Sequence, residues 1–229
     1  MFDIKICGVR LEKDLVAVED SGADAVGLNF FPPSVRFVAP ASDLAAALAR
    51  SAQRRGLMTV GVFVNESLSR LREIAVRVGL DAIQLHGDEP VEVARELIDG
   101  GIRVVRAVKL PRGAFEPDSL ERLSRPWREI GCHVLLDVDA GASHGGSGKT
   151  LDWDSVRRWA ATSEGGWTLA GGLKPENLVE AIHLSGARSV DTASGVECPK
   201  GVKNEERIQA FVKAYRHAIV DGSQTSGRP

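Results

Sequence analysis

The chain has 229 residues, 43% of them hydrophobic, and a formal net charge of −2. That length fits a single (β/α)8 barrel and does not force two domains, and the charge removes the electrostatic case for nucleic acid or an anionic membrane surface as partner. No apolar run is long enough to cross a bilayer, and the opening MFDIKICGVR lacks the basic-then-apolar form of a signal peptide.

Along the chain, short runs rich in Val, Ile and Leu alternate with helical patterns. The predicted strands are 4–7, 25–30, 58–64, 82–85, 104–109, 133–138, 168–171 and 189–192. Most do not alternate polar with apolar, as suits parallel strands buried on both faces. In the first helical example, Leu68, Leu71, Ile74, Ala75 and Val78 recur at helical spacing; Ile208, Phe211, Val212, Tyr215 and Ile219 do so near the C-terminus. Asp88-Glu89-Pro90 reads as a cap and first turn, Pro175 as a first helical position and Asn204 as an N-cap; Gly79 and Gly186 sit where helices should stop. The resulting fold class is α/β, a single (β/α)8 TIM barrel over 1–220, with 221–229 expected as a disordered polar tail. A doubly wound sheet would need a glycine-rich first turn, and the turn here is Cys7-Gly8-Val9-Arg10.

Barrels of this kind carry their sites at the C-terminal ends of the strands. Cys7 ends strand 1; packing as a small hydrophobe and acting as an activated thiol are both open to it. Arg36 lies in the stiff loop FFPPSVRFV after strand 2, where a guanidinium can meet a carboxylate or phosphate. Gln84 and His86 point the same way by alternation and are candidate substrate contacts, with a structurally held histidine as the alternative. Asp137 follows three apolar residues of strand 6 and is a candidate general acid, its alternative a carboxylate capping backbone N–H groups. His133 falls at the opposite end of the barrel.

The glycine-rich loop AGASHGGSGKT is not a P-loop, because position 143 is serine; a lid over the barrel mouth is the expectation. Gly171 and Gly172 after strand 7, and Ser194 and Gly195 after strand 8, form the pair of small-residue loops with which barrels often bind phosphate. Cys7, Cys132 and Cys198 are sparse and without C-x-x-C spacing, which argues for a reducing, cytoplasmic setting and against a disulfide framework or cysteine zinc site.

The motifs KICGV, NFFPPSVRFV, VGVFVN, IQLHGDE, LLDVD, GGSGKTLDW, LAGGLKPENL and DTASGVE-x3-GVK occur in order and span residues 5–203. In this ordered set the chain resembles the phosphoribosylanthranilate isomerase family of tryptophan biosynthesis. The resemblance implies an Amadori rearrangement of N-(5-phosphoribosyl)anthranilate to the 1-deoxyribulose 5-phosphate aminoketose. It implies Cys7 as general base, Asp137 as general acid, Arg36 opposite the anthranilate carboxylate, and Gly172 and Ser194 with their neighbours around the phosphate. The substrate nitrogen is the electron sink, so no cofactor and no metal is expected. The loop reads PPSVR where the family's commonest form has PKSPR, with Arg36 kept.

Two other readings compete. The histidine-biosynthesis isomerase, which performs the same rearrangement on a different aglycone, resembles a duplicated half-barrel with aspartate at the end of strand 1, where this chain has Cys7. A non-catalytic phosphometabolite-binding barrel would keep the phosphate loops but lose the acid or the base. The expected partner is a small phosphorylated substrate, and the sequence does not choose between monomer and homodimer.

Overall fold

The structure, a computed structural model, describes residues 1–138 and 150–225. Eight parallel strands close in chain order into one barrel, with the last strand hydrogen-bonded to the first. They are β1 (Ile4–Cys7), β2 (Ala25–Asn29), β3 (Met58–Phe63), β4 (Ala82–Leu85), β5 (Arg103–Leu110), β6 (His133–Val138), β7 (Trp167–Leu169) and β8 (Val190–Thr192). The helices between and after them are α1 (Glu12–Ser21), α2 (Asp43–Arg54), α3 (Leu68–Val78), α4 (Val91–Asp99), α5 (Pro117–Arg128), α6 (Trp153–Ala160), α7 (Leu178–Ser185) and α8 (Glu205–Thr225). This is the (β/α)8 barrel that the strand and helix patterns require.

The caps explain most helix boundaries. Ser42, Ser67, Asp152 and Asn204 each accept a backbone N–H of the first turn through the side chain, the interaction that favours these residue types there. Gly79 and Gly186 close α3 and α7 in the left-handed conformation. Three expectations need correction. Pro175 lies in the turn before α7, which begins only at Leu178. Asp88 and Glu89 do not cap α4, whose N-cap Pro90 has no side-chain hydrogen bond; Glu89 instead accepts from the N–H groups of Asn65 and Gly87 and pairs with Arg106 at 3.0 Å, tying the turns after β3 and β4 together. Helix α8 continues past Val220 to Thr225, through part of the segment expected as a tail. Gly222 within it lowers helix propensity by about 1 kcal/mol, which does not end an established helix.

Two apolar layers result. The larger lies between the sheet and the helices and includes Leu28, Leu71, Ile83, Leu97, Trp159 and Phe211. The smaller fills the barrel: Phe2, Ala25, Val60, Ala82, Val105, Ala107, Leu135 and Ala170. Barrel interiors usually carry bulky branched residues; here four alanines leave room at the centre for one long polar side chain, the fully buried Lys5. Among the described residues no helix is long and apolar enough to cross a membrane.

The outer layer depends on its largest members. Trp159 of α6 is 1% exposed, donates its indole N–H to Glu121 at 3.0 Å and meets the Trp167 ring edge-on at 5.7 Å. Trp159→Ala should cost about 3–5 kcal/mol. A urea titration should show a lower midpoint at unchanged slope; an unchanged midpoint would contradict this packing.

Candidate active site

Cys7 is the last residue of β1, and its side chain is buried at the floor of the barrel mouth. Its register partner on β2 is Gly27, and a Cβ there would stand 2.7 Å from the Cys7 Sγ. The sulfur thus lies directly over the β2 backbone. Two residues earlier, Lys5 is the register partner of Asp191 on β8, and its ammonium pairs with that carboxylate at 2.7 Å. Burial pushes the Cys7 thiol above its ordinary value; Lys5, Lys203 and Arg36 act against that, and Asp191 adds to it.

Asp137, near the C-terminal end of β6, carries a carboxyl group pushed up to about 7. Burial is the main cause and the neighbouring Asp191 charge the second, opposed by the Val138 N–H, which donates to Asp137 Oδ1 at 2.8 Å. His86 Nε2 approaches Asp137 Oδ2 at 3.4 Å, and His86 Nδ1 is 3.0 Å from Gln84 Nε2. Alternation places Gln84 and His86 on one side, as the sequence pattern requires. Gln84 is 1% exposed, so it orients His86 from inside the barrel, and His86 is the member of the pair that reaches the mouth.

Arg36 is held by a carboxylate that sequence reading did not single out. Its Nε and Nη2 donate to Glu197 Oε1 and Oε2 at 2.6 and 2.7 Å. Glu197 also accepts from Lys203 Nζ and from the Gly201 N–H, both at 2.8 Å, and Lys203 donates to the Ala193 carbonyl. Burial pushes the Glu197 carboxyl up, but the Arg36 hydrogen bond and the Lys203 charge outweigh it and hold the group at about 2. The Arg36 side chain runs over Gly8, where a Cβ would come within 2.3 Å of its Cδ, so only glycine allows this path. One edge of the guanidinium, Nε and Nη2, is spent on Glu197, and Nη1 takes no part in that contact. Glu197 and Lys203 stand in the motif DTASGVE-x3-GVK; a buried acid and base at its end were the available signal.

The two small-residue loops are brought against each other. Thr192 Oγ1 donates to the Leu173 carbonyl at 2.8 Å, and a Cβ on Gly195 would stand 1.9 Å from that carbonyl oxygen. Gly171 and Gly172 both have positive φ, 82° and 69°. The amide N–H groups of Gly171, Gly172, Ser194 and Gly195 meet no backbone acceptor among the described residues.

Residues 139–149, which include Asp139, His144 and the expected lid, lie outside the described residues. His133 is at the N-terminal end of the barrel, its ring against Phe2 and hydrogen-bonded with Thr168; burial pulls it down to about 4. Among the described residues no group of three His, Cys, Asp or Glu side chains is arranged to hold a metal ion.

A family model described as N-(5'-phosphoribosyl)anthranilate isomerase matches residues 4–214. The chain belongs to that family. A relative of that name from Roseiflexus sp. (strain RS-1) is 42% identical over 224 residues, covering 95% of this chain and 99% of the relative. The crystal structure of phosphoribosyl anthranilate isomerase from Thermotoga maritima superposes with a TM-score of 0.82 at 34% identity, covering 95% of this chain and all of that one. A family structure in complex with reduced 1-(o-carboxyphenylamino)-1-deoxyribulose 5-phosphate gives a TM-score of 0.79 at 33% identity, with the same coverage.

The Glu197 cluster makes a pH-dependent contribution to stability. A carboxyl depressed from 4.5 to about 2 stabilises the fold above its unfolded value, and the contribution is lost as pH falls toward 2. Glu197→Gln should therefore lower stability by up to about 3 kcal/mol near neutrality, from the size of that shift. Denaturation measured at a series of pH values should show the gap to wild type narrowing below about pH 4.5; a gap that stays constant would contradict the charge pairing.

Proposed function

We propose that the barrel mouth isomerises N-(5-phosphoribosyl)anthranilate to 1-(2-carboxyphenylamino)-1-deoxyribulose 5-phosphate, with Asp137 as general acid and Cys7 as general base. The observation that carries the roles is the pairing of a carboxyl group raised to about 7 at the end of β6 with a buried thiol at the end of β1, both under the influence of Asp191. Membership of the family supplies the reaction, and the cytoplasm, where tryptophan is made, is the expected setting.

The chemistry divides between the two groups. Asp137 delivers its proton to the ring oxygen as the C1′–O4′ bond breaks, and the anthranilate nitrogen supplies the electron pair for C1′=N. That cation acidifies the C2′ hydrogen. The Cys7 thiolate removes it, the C–H electrons form C1′=C2′, and the nitrogen recovers its pair. The enolamine then becomes the ketone: its C2′ hydroxyl loses a proton and C1′ gains one, which balances the proton given by Asp137 and the one taken by Cys7. Each positioned transfer contributes roughly 10²–10⁴-fold. Arg36 Nη1 is aimed at the anthranilate carboxylate. The amides of Gly171, Gly172, Ser194 and Gly195 receive the phosphate, with charge-assisted hydrogen bonds stronger than neutral ones. His86, oriented by Gln84 of β4, contacts the substrate and steadies Asp137.

Removing either proton carrier should lower turnover and leave binding nearly intact. Cys7→Ala and Asp137→Asn are each expected to lose about 10²-fold or more in kcat with much smaller changes in KM. Turnover near wild type in either variant would overturn its role.

The pH profile is a sharper test. With Asp137 near 7 and the Cys7 thiol higher, the active form, thiolate with protonated carboxyl, is a minor arrangement of the singly deprotonated pair. kcat/KM should therefore rise as pH increases through about 7 and fall only after the second proton leaves. A fall through pH 7 would contradict the assignment.

A further inference from the structure

Lys5 and Asp191 are the two charges at the centre of the barrel that substrate contact leaves without a task. The Lys5 side chain is fully buried and pairs with Asp191 at 2.7 Å. Such a pair is an expensive way to fill a core, since apolar side chains of the same volume are often equally or more stabilising. Its location is specific. Lys5 and Cys7 are two residues apart on β1 and face the same side, so the ammonium sits one interior layer beneath the thiol, where its charge acts on the sulfur as well as on Asp191. The pair does not meet the angles of a directed hydrogen bond, and Lys5 Nζ has no hydrogen-bond partner among the described residues. The charged groups around Cys7 come from four other directions: Asp191 from β8, Arg36 from the loop after β2, Lys203 from the loop before α8, and Asp137 from β6, coupled through Asp191.

We propose that Lys5 is a positioning residue for the reaction: its ammonium is shared between the Asp191 carboxylate and the Cys7 sulfur, and Asp191 sets how much of that positive charge the thiolate receives. The inference rests on the reading of Cys7 as the base. Lys5 keeps its proton throughout, because burial pulls its basicity down but Asp191 and Cys7 together more than offset this. The thiol proton leaves to solvent, and the ammonium then balances the sulfur's charge from the buried side of the barrel. Asp191 connects the two halves of the mechanism, raising both the Asp137 carboxyl and the Cys7 thiol. Asp191 favours the protonated form of both groups, and the ammonium beneath Cys7 counters that effect at the thiol.

The test reads the thiolate directly. Alkylation of Cys7 in the full-length protein by iodoacetamide, quantified on the Cys7 peptide by mass spectrometry across a pH series, gives its apparent pKa without substrate, because the thiolate is the reactive form. Lys5→Met should move that value up by about one unit or more and Asp191→Asn should move it down by a similar amount. Opposite signs are not expected from general loosening of the core. In parallel, Lys5→Met should reduce kcat about 100-fold with KM within about threefold, and Lys5→Arg should recover part of it. Each single variant leaves a buried charge without its partner, so Lys5→Met with Asp191→Asn in one chain is the control for folding, checked by circular dichroism. In that double variant the Cys7 value should stay above wild type and kcat should stay low. An alkylation pKa unchanged or lowered in a folded Lys5→Met or double variant would overturn the proposal. Full turnover in Cys7→Ala would overturn the base assignment instead, and the alkylation series would still report whether Lys5 governs the thiol.

Discussion

The ion pair between Lys5 and Asp191 is the constraint around which the rest of the barrel is arranged. It joins the first strand to the last at the position where the sheet closes. A lysine at the barrel axis is tolerable only with a carboxylate beside it, because an isolated buried charge costs several kcal/mol. It also needs space, which Ala25, Ala82, Ala107 and Ala170 leave open. The interior is therefore apolar below and charged at mid-height, and the Asp191 charge acts on both Cys7 and Asp137 at the top.

A second charged cluster sets the rim. Arg36, Glu197 and Lys203 bind one another across the loops after β2 and β8. A guanidinium gripped along one edge by a carboxylate has lost most of its rotamer freedom before substrate arrives, which reduces the entropy spent on binding. The same cluster anchors the segment after β8, and the contact of Thr192 with the Leu173 carbonyl fixes the two glycine-containing loops relative to each other. The Arg36 loop and the two glycine-containing loops thus share supports, and both are attached to strand ends.

Much of this was legible in the chain. IKIC, AIQL and HVLLDV are strands with the bounds their apolar runs suggest, and Asn204, Gly79 and Gly186 act as the helix signals they resemble. Where the reading failed, a tertiary contact decided. β7 ends at Leu169, earlier than its apolar run, because Gly171 and Gly172 turn away from the ladder with positive φ to build a loop. Glu89 resembles a first-turn acid by sequence, yet two backbone amides and Arg106 claim it. Lys5 lies inside an apolar strand, a placement that demands a partner, yet sequence reading did not single it out. Nothing local names Asp191 as that partner, since the two are brought together only by closure of the barrel.

The sequence by itself determined the fold class and the family and pointed to the candidate residues at the strand ends, because periodicity, capping residues and an ordered set of motifs are local properties of the chain. Only the tertiary structure decided which charges meet. Lys5 with Asp191, Arg36 with Glu197 and His86 with Asp137 are pairs distant in sequence, and their energies depend on burial and on separations of a few ångströms that no local pattern encodes. Those separations are what hold a carboxyl near 7 at one strand end and place an ammonium beneath the thiol at another.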